Sequence, residues 1–179
     1  MKQLILGGAR SGKSRLAEQL ALQSGLQVSY IATATVGDAE MAARIEQHRS
    51  RRPDHWNLLE EPIALAQVLQ QQAGELGLLL VDCLTLWLSN LICAEQPELL
   101  RREVDALLEV LPQLPGHVIF VSNEVGMGIV PLGELSRQFQ DEMGWLQQRV
   151  AEHCDRVVFT VAGLPHVLKP AGTILKLES

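Results

Sequence analysis

Gly7-Gly8-Ala9-Arg10-Ser11-Gly12-Lys13-Ser14 places a glycine, four residues, and then Gly-Lys-Ser, which is the spacing of a phosphate-binding loop. Glycines let the chain bend until successive backbone N–H groups face phosphate oxygens. A helix beginning at the loop then aims its positive dipole end at the same anion. Lys13 adds a point charge, and Ser14 offers a hydroxyl to Mg²⁺. A second candidate, Asp82, stands directly behind the apolar run Leu76 to Val81. A carboxylate there can hold Mg²⁺, directly or through water, or it can cap the helix that follows.

The third segment, Arg44 to Trp56 (RIEQHRSRRPDHW), gathers four arginines and two histidines in thirteen residues of a chain whose net charge is −6. Planar guanidinium groups suit phosphate oxygens, and cations around a histidine favour its neutral, nucleophilic form. His48 could therefore attack phosphorus. The residues alone leave another reading open, an exposed helix end with Arg49, Arg51 and Arg52 on the dipole and His48 packed beside Met41 and Ile45. His55, behind Pro53-Asp54, reads as a solvated turn residue, His117 and His153 as structural, and Glu60 and Glu61 as exposed loop carboxylates.

These groups need a frame to bring them together. Leu4–Leu6 reads as a short buried strand and Lys13–Gln23 as a helix closing at Ser24-Gly25, with Val28–Ile31 as the next strand. Helices are expected over Asp38–Arg49, Ile63–Gln72, Thr85–Cys93, Pro97–Leu111 and Glu134–His153. Strands are expected over Leu76–Val81, Val118–Ser122, Arg156–Val161 and Thr173–Leu177. This alternation predicts an α/β fold, a mostly parallel sheet flanked by helices with ligands at the carboxyl ends of the strands. Gly7–Ser14, Ala32-Thr33-Ala34, Asp82 and Ser122-Asn123-Glu124 fall at those ends.

Composition narrows the class. A chain of 179 residues, 47% hydrophobic, suits one globular domain over residues 1–179. Its acidity argues against a general nucleic-acid or membrane-surface binder, and any basic site must be local. Cys83, Cys93 and Cys154 are odd in number and show no C-x-x-C spacing, so they read as reduced core thiols. No apolar run reaches membrane-spanning length, and the protein is expected in the cytoplasm.

Taken together, ILGGARSGKSRLAE, YIATA, EMAARIEQHRSRRPDHWNLLEEP, LLLVDCLTLWLSNLI and VSNEVGMGIVP resemble the bifunctional adenosylcobinamide kinase/adenosylcobinamide-phosphate guanylyltransferase family of cobalamin biosynthesis. The resemblance implies a RecA-like phosphate-loop fold and a homotrimer. It also implies two reactions, phosphorylation of adenosylcobinamide by ATP or GTP, then transfer of GMP from GTP through a covalent histidine intermediate. His48 matches the nucleophile. Arg49, Ser50, Arg51, Arg52, Ala32, Thr33, Ala34 and Glu60 match nucleotide-contacting positions, and Ser14 and Asp82 the Mg²⁺ site. Asn123 and Glu124, with the GMG turn at Gly126–Gly128, are candidates for a corrinoid-facing lip, or simply a turn leaving a strand. A single-activity small-molecule kinase is the alternative. A nucleotide-dependent switch is a further one, disfavoured because no appended module or basic strip is present.

Overall fold

The computed structural model describes residues 1–35 and 53–170. Strands β1 (Lys2–Gly7), β2 (Gln27–Ala32), β3 (Asn57–Glu60), β4 (Gly77–Asp82), β5 (His117–Asn123), β6 (Arg156–Val161) and β7 (Leu164–Lys169) form one seven-stranded sheet in the order β3-β2-β4-β5-β1-β6-β7. Every neighbouring pair is parallel except β6 with β7, which close as an antiparallel hairpin. Helices α1 (Lys13–Gln23), α2 (Leu65–Gln72), α3 (Leu84–Cys93), α4 (Pro97–Val110) and α5 (Glu134–His153) flank it.

Side chains alternate across a strand, so each strand feeds two cores. Ile5, Tyr30, Leu80 and Val121 pack with Leu16 and Ala17 of α1 on one face. Leu4, Ile31, Val81 and Phe120 pack on the other with Leu69, Trp87, Leu107 and Leu146 of α2, α3, α4 and α5. Trp87 and Phe120 are fully buried, and each such side chain contributes about 1.5–3 kcal/mol relative to exposure. Strand bodies held this firmly fix where their polar carboxyl ends emerge.

The fold is the expected α/β architecture, with differences that have physical causes. β3 was not expected because NLLE is an edge strand largely open to solvent, with none of the buried pattern that marks β4. β7 was likewise missed, since it is an exposed edge strand and carries Pro165. Leu76 lies outside β4 and is 81% exposed, while Asp82 is the last residue of the strand. Helix α2 starts at Leu65 because the Glu61 carboxylate (Oε1) already accepts the N–H groups of Ile63 (2.8 Å) and Ala64 (2.7 Å). Glu61 is thus half-buried and bonded to the turn ahead of α2, correcting its assignment as an exposed loop carboxylate. Cys83 and Cys154 are buried free thiols, but Cys93 is exposed at the last turn of α3. The expected helix Asp38–Arg49 and strand Thr173–Leu177 lie outside the described residues.

Candidate functional site

The phosphate-binding loop is fixed from behind. Gly7 has φ 154°, and a Cβ there would sit 2.4 Å from the Thr160 carbonyl oxygen and 2.6 Å from Ser11 Oγ. Gly12, at φ 98°, precedes α1, and a Cβ on it would come within 3.1 Å of Gly163 Cα. The Gly163 N–H donates to the Ser11 carbonyl at 2.9 Å, so the tight turn between β6 and β7 buttresses the loop. Lys13 is buried, and its Nζ donates to the Gly8 carbonyl at 2.7 Å. Burial pulls the Lys13 pKa below the usual lysine value, and the neighbouring Cys83 and Asp82 offset part of that shift.

The other candidates line up along the same edge through strand register. Ala32 is opposite both Glu60 and Asp82, Asp82 is opposite Val121, and Gly7 is opposite Asn123. Asp82 falls in step with Leu78 and Leu80, Ala32 with Tyr30, and Asn123 with Val121, which places all three on the α1 face. The Tyr30 hydroxyl donates to Asp82 Oδ2 at 2.9 Å. Asp82 does not cap α3, whose first turn has no side-chain cap and is preceded by Cys83. Burial foremost, with the Asp82 charge behind it, pushes the Cys83 thiol up to about 11.

A polar clasp sets the segment after β2. Thr33 Oγ1 donates to the Cys83 carbonyl (2.7 Å) and accepts the Cys83 N–H (2.9 Å). Asn90 Nδ2 donates to the carbonyls of Thr33 (2.8 Å) and Pro62 (3.1 Å), and Trp87 Nε1 donates to that of Ile63 (2.8 Å). Across the sheet, the Asn123 N–H donates to Thr85 Oγ1 and Gln147 Nε2 to the Asn123 carbonyl, both at 2.7 Å. The Glu124 N–H donates to the Gly7 carbonyl at 3.0 Å, while its carboxylate accepts the Gly126 N–H.

The structure therefore brings together Gly7–Ser14, Ala32–Ala34, Glu60, Asp82, Asn123 and Glu124. His48, Arg49, Ser50, Arg51 and Arg52 lie outside the described residues, between Thr35 and Pro53. His55 is exposed in its turn, His117 opens β5 and His153 closes α5. Sequence reasoning missed Tyr30, Asn90, Thr85, Gln147 and the β6–β7 turn. Of these only Tyr30 left a signal, because a tyrosine in a buried strand needs a partner for its hydroxyl. Ser14 and Asp82 supply hard oxygen donors that fit Mg²⁺, an ion usually held by one or two protein groups together with phosphates and water.

A family model described as cobinamide kinase / cobinamide phosphate guanyltransferase matches residues 3–168. The bifunctional adenosylcobalamin biosynthesis protein CobP of Pseudomonas aeruginosa is 64% identical over 169 residues, covering 94% of this chain and 98% of that protein. The bifunctional adenosylcobalamin biosynthesis protein CobU of Escherichia coli K12 is 37% identical over 177 residues, covering 92% and 97%. Among solved structures, the RadB recombinase aligns with a TM-score of 0.52 at 19% identity, over 88% of this chain and 73% of that one. The assembled type III secretion ATPase EscN of enteropathogenic E. coli, in complex with its stalk EscO, aligns at 0.56 and 14% identity, over 89% and 41%. At such identities these two speak for the fold alone, the RecA-like phosphate-loop architecture.

Proposed function

The chain belongs to the cobinamide kinase / cobinamide phosphate guanyltransferase family, and on that premise we propose that it phosphorylates adenosylcobinamide with ATP or GTP and then transfers GMP from GTP to the new phosphate. The products of the second reaction are adenosyl-GDP-cobinamide and pyrophosphate. One observation carries the reading: Ala32, Asp82 and Asn123 lie on one face of the sheet at the carboxyl ends of its strands, with Lys13 near enough to feel the Asp82 charge.

In the kinase step the loop amides and Lys13 hold the triphosphate while a substrate hydroxyl oxygen replaces the bridging oxygen at the γ-phosphorus. Ser14 and Asp82 would hold Mg²⁺, which when bound neutralises phosphate charge. In the transfer step a ring nitrogen of His48 attacks the α-phosphorus of GTP and the bond to the pyrophosphate oxygen breaks. The substrate phosphate then displaces the histidine, so one difficult substitution becomes two easier ones. Arg49, Arg51 and Arg52 stabilise the charge that develops at phosphorus, and Ser50, Ala32, Thr33, Ala34 and Glu60 contact the nucleotide. Asn123 and Glu124, tied to Gly7 and Thr85, form the lip facing the corrinoid. The enzyme acts as a cytoplasmic homotrimer. Among the described residues no helix is long and apolar enough to cross a membrane.

Product analysis tests the two-reaction reading. Incubation with adenosylcobinamide, Mg²⁺ and ATP should yield only the phosphate ester by mass spectrometry, and GTP added afterwards should convert it to the GDP derivative. Accumulation of the ester in the presence of GTP would leave a single-activity kinase.

A further inference from the structure

The Tyr30 hydroxyl is held more firmly than the carboxylate it touches. Tyr30 is 2% exposed, its ring packs in the α1-side core, and it sits opposite Leu80, two residues before Asp82 on the neighbouring strand. From there the hydroxyl reaches forward along the sheet to Asp82 Oδ2 at 2.9 Å. A buried phenol needs an acceptor, and folding alone would be met by any carbonyl. Here the acceptor is the one carboxylate at the carboxyl end of β4. A hydrogen bond to an ionised group is about twice as strong as a neutral one. Asp82 is half-buried at the edge, close enough to Lys13 to influence its pKa, so a freely turning carboxylate would be drawn to that ammonium. Tethering Oδ2 restricts rotation about the Cβ–Cγ bond. It leaves Oδ1, which accepts no hydrogen bond among the described residues, as the oxygen available to a cation.

We infer that Tyr30 is a positioning residue, tethering one oxygen of Asp82 so that the other is presented to the divalent ion of the bound nucleotide. The inference rests on the reading of Asp82 as the magnesium-holding carboxylate. Outer partners that orient a metal-binding carboxylate commonly matter for ion affinity about as visibly as for turnover.

The test uses the full-length protein with α,β-methylene GTP, whose α-phosphorus cannot be attacked with release of pyrophosphate, and Mn²⁺ as a paramagnetic probe read by electron spin resonance. Tyr30→Phe keeps the ring and removes only the hydroxyl. The expected result is a loss of Mn²⁺ affinity in the protein–analogue complex of roughly tenfold, with analogue affinity in metal-free buffer unchanged. Mn²⁺ affinity within twofold of wild type would overturn the inference. So would an equal loss of metal-free analogue affinity, which would show that the hydroxyl serves the fold. Asp82→Asn separates this from the underlying reading. If it weakens Mn²⁺ binding and Tyr30→Phe does not, only the tether fails; if Asp82→Asn is itself silent, Asp82 does not hold the ion and both fail.

Discussion

In the proposed function Lys13 presents a positive charge from a buried position, and burial lowers its pKa below 10.5. Its ammonium is therefore lost at lower pH than that of an exposed lysine, and triphosphate affinity should fall early on the alkaline side. Lys13→Arg, charged throughout, should lack that alkaline limb when nucleotide dissociation constants are measured by calorimetry against pH. If one loop serves both reactions, Lys13→Ala should cost both kinase and guanylyl transfer roughly 10²-fold or more; loss confined to one reaction would mean two separate phosphate sites. Gly7→Ala should abolish nucleotide binding, because its methyl would meet the Thr160 carbonyl at 2.4 Å in a backbone conformation that L residues avoid. Gly7 and Lys13 were legible because a phosphate loop is written in consecutive residues, and Asp82 because an apolar run ends on it. The Tyr30–Asp82 bond was not legible. It joins residues 52 apart, and only the strand register, which no local pattern encodes, brings them together.

At the scale of elements, α3 does more than cover the sheet. Asn90 ties the segment after β2 to the turn before α2, and Asn90→Ala would strip a donor from the carbonyls of both Thr33 and Pro62. Leaving buried carbonyls unpaired costs about 1–3 kcal/mol each, so a lowered thermal midpoint with weakened nucleotide binding is expected. The thiols follow from the same packing. Burial pushes Cys83 to about 11 and Cys154 to about 12, against 9.0 for a free thiol. Unfolded thiols ionise from about pH 9, while the folded ones stay protonated. The stability gained by keeping them neutral is therefore whole below pH 9 and drains away as pH rises through the folded values. At neutral pH, Ellman's reagent should titrate one thiol quickly, the exposed Cys93, and the other two only on unfolding. Buried strands announced themselves by unbroken apolar runs, as in LLLV. The edge strands β3 and β7 did not, because a strand with one neighbour and open faces needs no such pattern.

Across the whole molecule, the alternation of strand and helix was enough to predict a parallel sheet with its chemistry at the carboxyl edge. Register aligns Glu60, Ala32 and Asp82, and separately Asn123 and Gly7, at that edge. The antiparallel β6–β7 hairpin was not anticipated, yet its turn is what seats the phosphate loop, through the Gly163 to Ser11 bond. The role of His48 rests on resemblance to the family, since composition alone favours an exposed helix end. Its assignment as the transient carrier of GMP is the account's central claim. The direct measurement is to incubate the protein with Mg²⁺ and GTP labelled at the α-phosphorus, without corrinoid, then denature it and count label on the chain. The account predicts acid-labile, alkali-stable label on the wild-type protein and none on His48→Ala. A wild-type chain that retains no label, or a His48→Ala chain that retains it fully, would contradict the claim.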